Sequence, residues 1–187
     1  VRAFSPERLD EDQLDEILDL ARRAPSAGNS QAVSFLVLDS PGTVAAYWDT
    51  TLPEPRRSSF RWQRLLDAPA LVIVTTNPGS YVQRYAETDK RHPRLGDSTD
   101  AWSVPFWWVD AGAVAQNLLL LALDHGLGAC LFGLFEHEAA VKQTFGVDEP
   151  TRLVATIALG HPLPDEPGRS SSRLRPTRET VIHRDRW

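Results

Sequence analysis

The most apolar long stretch of the chain begins at Val109. Up to His125 its polar side chains are only Asp110, Gln116, Asn117 and Asp124. Asp110 is a residue type that caps helix N-termini, and Gly126 is one that ends helices. The pattern predicts a buried helix of about 16 residues, too short and too interrupted by polar residues to span a bilayer. We expect this helix to form the centre of the core and part of a subunit interface.

Shorter patterns predict the other elements. Apolar residues at helical spacing predict an amphipathic helix over residues 10–24, ended by Pro25. Apolar runs predict buried strands at 33–38, 70–76, 129–132 and 153–159. Further helices are predicted around 43–48, 60–66, 78–84 and 136–145, and a loop over 92–100. Beyond His161 no regular pattern is present before Thr180. Together these elements predict a single α+β domain over residues 1–187, with a sheet between helices.

Composition narrows the class of protein. The 187 residues carry a net charge of −5 without charged blocks, which argues against nucleic acid and polybasic membrane contacts. The sequence contains no secretory signal pattern. The lone Cys130 lies in an apolar run and has no second cysteine to pair with. We therefore predict a small core residue and a reducing, cytoplasmic location.

Several catalytic and metal-binding motifs are absent from the sequence. The segment 137–141 begins like a zinc-protease motif, but Val141 stands where the second histidine is required. The five histidines have no metal-ligand spacing, so no metal is predicted. Gly126 and Gly128 follow a helix rather than a strand, unlike the dinucleotide-binding fingerprint. No side chain stands out as a catalytic acid or base.

Four segments then occur together in one order: residues 1–4 (Val-Arg-Ala-Phe), 23–31 (Arg-Ala-Pro-Ser-Ala-Gly-Asn-Ser-Gln), 110–133 and 157–162 (Ile-Ala-Leu-Gly-His-Pro). In this order and spacing the chain resembles the FMN-dependent nitroreductase family, and residues 175–187 are similar to that family's ending. The loop 25–31 is the most specific of these segments. The resemblance implies a nitroreductase-like α+β fold with a mostly antiparallel or mixed sheet flanked by helices. It also implies that homodimerisation completes the domain and that residues 165–187 form an extended tail.

The resemblance further implies non-covalent FMN at the dimer interface. Arg2 would lie by the pyrimidine edge of the flavin ring, and Gly133 or Leu134 would offer a backbone N–H to flavin N5. The implied cofactor-binding residues are Arg2, Pro25, Ser26, Ala27, Asn29, Gly133, Leu134, Arg173 and Arg175. These residue types suit the cofactor, because a guanidinium stabilises a reduced flavin and two arginines at i, i+2 suit a phosphate dianion. Gly28 would let the loop approach a flat ring.

Aromatic residues lie where the family carries a variable cover over the flavin. The implied substrate residues are Tyr81, Tyr85, Trp102, Phe106 and Trp107. A flat apolar wall suits an aromatic acceptor and a nicotinamide ring. The same aromatics could instead be core or dimer contacts. The implied activity is ping-pong reduction of nitroaromatics, quinones or similar small acceptors, with NADH or NADPH as hydride donor.

Simpler interpretations stay open. The loop 25–31 could be an ordinary helix stop, Arg2 a solvated terminal residue, and Arg173 and Arg175 part of a mobile tail. Other hypotheses are a specialised branch of the family (dehalogenase, benzimidazole synthase or azoline oxidase), a non-catalytic flavin-binding protein, and a structural homodimer without cofactor.

Two departures from the family pattern matter. Gln31-Ala-Val33 replaces its usual Gln-Pro-Trp, and its basic segment before the position of Val1 is absent. That second absence has two explanations: the natural chain is longer and its upstream helix helps to bind the phosphate, which we favour, or the protein lacks this helix and binds FMN weakly.

Overall fold

The computed structural model describes residues 1–90, 94–168 and 170–187. Its strands are β1 (Val33–Leu38), β2 (Ala70–Thr76), β3 (Gly128–Phe132) and β4 (Arg152–Gly160). They form one sheet in the order β1-β2-β4-β3, and every neighbouring pair is antiparallel. The helices are α1 (Glu11–Ala21), α2 (Pro41–Thr51), α3 (Pro78–Ala86), α4 (Phe106–Asp124), α5 (Glu138–Phe145) and the short α6 (Arg178–Val181). The predicted α+β class is confirmed, and the sheet is wholly antiparallel.

The sheet has a separate hydrophobic core on each face, because strand side chains alternate between faces. On one face, Val72 and Ile157 pack in a core cluster with residues of α1 and α4. On the other face, Ile73 and Ala158 pack in a cluster with residues of α2 and α5. All seven residues of β2 are buried, as the apolar run that forms most of the strand predicts. The fold therefore has three layers, with helices on both sides of the sheet.

Local signals explain where the helices begin. Asp10 caps α1 by accepting a hydrogen bond from the N–H of Gln13 at 2.9 Å. Ser40 and Thr43 form a reciprocal capping box at the start of α2. The first helix ends at Ala21, three residues earlier than predicted. The helical conformation is unfavourable for Ala24, since it precedes Pro25.

The central helix α4 begins earlier than the sequence pattern predicts. Pro105 occupies its N-cap position, and the aromatic residues from Phe106 onward already belong to the helix. The prediction that Asp110 is the N-cap is therefore wrong, because nothing in residues 106–109 interrupts a helix and the chain is helical from Phe106. The predicted length was also too short. Within the described ranges, this 19-residue helix is long and apolar enough to cross a membrane, as core helices can be.

One side of α4 faces outward and is largely apolar. Ala111, Val114 and Leu118 are buried against the rest of the chain. The exposed apolar side chains on the opposite side of the helix are Val109, Leu120 and Leu123, the last 72% exposed. We call these three residues the outer stripe. An exposed apolar row on a core helix is typical of a surface that a partner covers.

In two other segments the structure differs from the prediction, and a third lies partly outside the described residues. Residues 60–66 form only a single 3-10 turn, Gln63–Leu65, instead of a helix. The side-chain amide of Gln63 donates to the carbonyls of Arg57 and Phe60, and Trp62 has a non-helical backbone. The exposed tail contains one helical turn, α6, so regular structure there begins two residues before Thr180, where no regular pattern was expected. Part of the predicted loop 92–100 lies outside the described residues.

Tyr47 on α2 and Thr156 on β4 link a helix to the sheet. Their hydroxyl oxygens lie 2.8 Å apart, and both side chains are buried. Burial raises the pKa of Tyr47 to about 12, although the hydrogen bond with Thr156 opposes that shift. An unfolded tyrosine titrates near 10, so the folded state disfavours the phenolate. The stability that Tyr47 contributes is therefore complete below about pH 10 and is lost as pH rises towards 12.

Tyr47→Phe removes this titration. Between pH 9 and pH 11 we expect the wild-type protein to lose about 1 kcal/mol more of its unfolding free energy than the variant does. The reason is that the wild type must keep a buried phenol neutral while its unfolded chain ionises. Urea unfolding of both proteins at the two pH values measures the difference. Parallel losses in the two proteins would contradict the assignment.

Candidate functional site

The loop between α1 and β1 contains the segment most specific to the family resemblance. Its centre is the 3-10 turn Ala27–Asn29. Gly28, Asn29 and Gln31 have left-handed backbone conformations, with φ of 64°, 57° and 50°. The hydroxyl of Ser26 accepts a hydrogen bond from the N–H of Gln31 at 3.0 Å. Left-handed backbone costs free energy at non-glycine residues, so contacts around the loop must stabilise this conformation.

Asp110 on α4 provides one of those contacts. Its Oδ2 atom accepts a hydrogen bond from the N–H of Ala27 at 2.8 Å and another from the hydroxyl of Tyr81 at 2.9 Å. The carboxylate is buried, with Asp110 only 5% exposed. Burial, followed by the bond to Asp110, raises the pKa of Tyr81, which keeps the phenol in its donor form. Asp110 therefore joins the loop, α3 and α4 at one atom.

Arg84 and Tyr85 on α3 hold the loop from its other side. The Nε atom of Arg84 donates to the carbonyl of Gly28 at 2.8 Å, and its other guanidinium nitrogens pair with Glu87 and Asp89. The ring of Tyr85 lies against Gly28, where an added Cβ would come within 2.6 Å of it. Gly28 thus leaves room for the ring of Tyr85, and its predicted approach to a flavin ring stays a prediction.

A polar cavity of about 290 Å³ lies beside this loop. We call it the loop cavity. Three of the predicted cofactor residues, Pro25, Ser26 and Asn29, line it together with Asp110. Ala27 instead packs against the aromatic cluster on α3 and α4.

The predicted substrate aromatics form a cluster of their own. Tyr81, Trp102 and Trp107 are buried and contact one another edge-to-face, with ring centres about 6 Å apart. Tyr85 packs on Trp102 at 4.8 Å, and Phe106 is 39% exposed. Tyr85 and Phe106 are therefore the members of the cluster that a small molecule could contact. The substrate role of the five residues stays a prediction.

A second cavity, of about 370 Å³, lies where β3 ends. We call it the N-terminal cavity, because Arg2 lines it together with the predicted residues Gly133 and Leu134. Its other walls include Trp62, Phe132 and Cys130. Cys130 is half-buried, and burial raises the pKa of its thiol. The cysteine therefore borders a cavity instead of lying wholly within the core.

The first residues of the chain are held against β3 and the segment after β4. The backbone nitrogen of Val1 donates to the carbonyl of Ala129, and the backbone N–H of Arg2 donates to Asp165. Phe4 is fully buried and pairs with Pro162. These contacts place the Arg2 side chain at the cavity, with its guanidinium carbon 5.0 Å from the centre of the Trp62 ring.

The predicted phosphate residues lie apart from both cavities. Arg173 and Arg175 are exposed in the tail and line neither cavity. Leu174 between them is 91% exposed. Their role stays a prediction.

The two groups of predicted cofactor residues lie on opposite sides of the sheet. The loop cavity borders α4 on one face, whereas the N-terminal cavity borders Tyr47 and Trp48 of α2 on the other. The loop precedes β1 and Gly133 follows β3, and these strands are the two edges of the sheet. Three strand spacings separate the edges, which is about 14 Å. Within a single chain the two groups therefore line separate cavities.

Sequence patterns did not point to two residues of this region. Asp110 was interpreted as a cap, although a carboxylate inside an apolar helix also signals buried donors from elsewhere. No sequence pattern distinguished Arg84 as a site residue, because an arginine in a short amphipathic helix is most often solvated. Among the described residues, no group of three His, Cys, Asp or Glu side chains could hold a metal ion.

The three-layer α+β fold with its clamped loop defines the architecture, and comparisons with known proteins identify the family. The model of the family described as "Nitroreductase family" matches residues 1–161. The chain belongs to this family of oxidoreductases. The resemblance and the nitroreductase-like fold predicted from the sequence are confirmed.

The names of individual relatives agree with this family assignment. A protein of Archaeoglobus fulgidus named "Putative NADH dehydrogenase/NAD(P)H nitroreductase" is 23% identical over 192 residues, covering 100% of this chain and 92% of the relative. A Thermus thermophilus "NADH dehydrogenase" is 28% identical over 190 residues, covering 98% and 91%. A solved structure named "FMN-dependent Nitroreductase", from Clostridium difficile, superimposes with a TM-score of 0.67 at 16% identity, covering 100% and 94%.

Asp110→Ala tests the clamp on the loop. The substitution leaves the buried hydroxyl of Tyr81 and the half-buried N–H of Ala27 without an acceptor, so we expect a loss of about 3 kcal/mol in unfolding free energy. We also expect faster hydrogen exchange at the Ala27 amide, because its acceptor is gone. Asp124→Ala is the matched control, since Asp124 is exposed on the same helix. A loss no larger than that of the control would refute the role of Asp110.

Proposed function

We propose that the protein is an FMN-dependent oxidoreductase that uses NADH or NADPH to reduce nitroaromatics, quinones or similar small acceptors. Family membership supports an oxidoreductase, and relatives bear the names NADH dehydrogenase and NAD(P)H nitroreductase. The name FMN-dependent nitroreductase belongs to a protein with the same fold. The observation that carries the proposal is the pair of half-sites on opposite edges of the sheet, each lined by part of the predicted cofactor set.

The residues present fit a flavin. The N-terminal cavity has a volume typical of small-molecule sites and mostly aromatic and aliphatic walls, with the guanidinium of Arg2 at its border. When bound, FMN would accept a hydride at N5 from NAD(P)H and pass it to the acceptor. Arg2 would stabilise the negative charge that the reduced ring carries, and Gly133 or Leu134 would donate a backbone N–H to N5. Arg173 and Arg175 would bind the phosphate.

The site would be shared between two subunits. Arg2, Gly133 and Leu134 would come from one protomer, and Pro25, Ser26, Ala27 and Asn29 from its partner. The separation of the two groups within one chain supports this arrangement. The outer stripe of α4 supplies an apolar surface for the contact. The predicted cytoplasmic location accords with a lone cysteine in a reducing compartment.

Catalysis in this proposal depends on position and charge. No candidate acid or base was predicted, so the protein would orient donor and acceptor in turn against one ring and stabilise its charge. The aromatic cluster would supply the flat wall, with Tyr85 and Phe106 as its accessible members. The loop would keep its shape during the reaction, because Asp110 and Arg84 bind its backbone.

Purified protein should be yellow with FMN and should bleach under anaerobic NADH or NADPH. Arg2→Ala should slow that reduction about tenfold, since it removes a charge next to the reduced ring. Stopped-flow absorbance measures the rate, and an acceptor panel then follows reoxidation. A colourless protein that binds no added FMN would refute the proposal. Binding without reduction would favour a non-catalytic flavin-binding protein, and unchanged rate and FMN affinity would remove the role of Arg2.

Light scattering should find a homodimer at micromolar concentration. Leu120→Glu combined with Leu123→Glu should weaken the dimer and reduce FMN occupancy together, because charge is introduced into an apolar contact that completes the site. Gln143→Glu on the exposed face of α5 adds charge elsewhere and should change neither property. A flavin-loaded monomer would contradict both the dimer and the shared site.

A further inference from the structure

The guanidinium groups of two arginines pack on the ring of Trp62. The guanidinium carbon of Arg2 lies 5.0 Å from the ring centre, and that of Arg61 lies 4.4 Å from it. Cation–π contacts of this kind stabilise the orientation of long side chains. The two positive charges lie within roughly one Debye length of each other, about 10 Å at 0.1 M salt. Like charges at this distance repel, so their association needs a compensating benefit.

Carboxylates nearby only partly compensate for these charges. Within the described part of the chain, Glu166 alone comes within ion-pair distance of either guanidinium, 3.9 Å from Arg61. Glu166 is largely exposed, and an exposed pair at this distance contributes little. Asp165 is also close, but its carboxylate accepts the backbone N–H of Arg2. The two arginines and these two carboxylates are equal in number, but neither carboxylate makes a close ion pair with a guanidinium.

The arginine pair lies between two cavities. A cavity of about 390 Å³, which we call the tail cavity, is lined by Arg2, Phe60, Arg61, Trp62, Gly168 and Ser170. The N-terminal cavity shares Arg2, Phe60 and Trp62 with it. Arg61 is thus separated from the N-terminal cavity by little more than the Trp62 ring. A charge bound in that cavity would lie within reach of both guanidinium fields.

We propose that Arg61 acts with Arg2 as a second cation of the flavin site and favours the reduced cofactor. The inference rests on the proposed function. Hydride transfer from NAD(P)H brings two electrons and one proton to the flavin, so the ring gains one negative charge while the nicotinamide becomes NAD(P)⁺. A cation about 10 Å away interacts more favourably with the reduced than with the oxidised ring, by up to about tenfold in binding. Because Arg61 is partly exposed, we expect a ratio of threefold to tenfold.

The midpoint potential of bound FMN tests this role directly, because it reports the ratio of affinities for reduced and oxidised flavin. Arg61→Gln keeps a planar polar group near Trp62 but removes the charge. We expect a fall of about 15–30 mV, which corresponds to threefold to tenfold for a two-electron couple. Arg61→Lys should restore most of the potential. Arg56→Ala is the matched control, since Arg56 is exposed in the same connecting segment and lines none of the cavities described above. It should leave the potential unchanged.

Titration of each variant with oxidised FMN and with riboflavin distinguishes the alternatives. An unchanged potential in Arg61→Gln would overturn the inference, as would an equal fall in Arg56→Ala. A loss of affinity for FMN but not for riboflavin, at constant potential, would assign Arg61 to the phosphate and would also overturn it. If the wild-type protein binds neither flavin, the proposed function fails first, and that outcome is seen before any variant is compared.

Discussion

The carboxylate of Asp110 is the interaction on which the arrangement of the candidate site depends. A charged group buried in an apolar helix is costly unless strong donors satisfy it. Here one oxygen atom binds the backbone of the loop and the phenol of α3. Neither element belongs to the sheet, and the two hydrogen bonds add a fixed direction to the apolar packing of Tyr81 and Ala27 against Trp107. The bond therefore positions the left-handed loop and the aromatic cluster relative to the core.

This constraint gives α4 three different sides. One side packs on the sheet and α1, a second carries Asp110, and the third is the exposed outer stripe. A helix that serves all three must be long, apolar and continuous, which explains why its length and composition resemble those of a membrane-spanning helix. The same helix would connect dimerisation to loop position in the proposed function, because both contacts lie on one rigid element. Assembly and cofactor binding would then be linked.

The elements that could be predicted from the sequence are those encoded by a short stretch of neighbouring residues. β2 was predicted at its observed bounds, because five consecutive apolar residues and two threonines between turn signals need no tertiary information. The helix predicted at 60–66 failed because the side chain of Gln63 competes for backbone carbonyls, a contact that periodicity does not encode. The family was recognisable from four short segments. Their separation across the sheet was not, since strand order β1-β2-β4-β3 is a property of the whole chain.

The orientation of Arg2 also depends on contacts with residues distant in the sequence. Taken alone, a basic residue at position 2 is most simply interpreted as a solvated terminal side chain. In the fold, the backbone nitrogen of Val1 donates to Ala129 and the backbone N–H of Arg2 donates to Asp165. The buried ring of Phe4 holds the segment after Arg2. Its guanidinium is then oriented by Trp62 instead of moving freely. A charge held in place before a ligand arrives stabilises that ligand without a further cost of reorganisation. In the proposed function, this orientation would make Arg2 a fixed part of the flavin site.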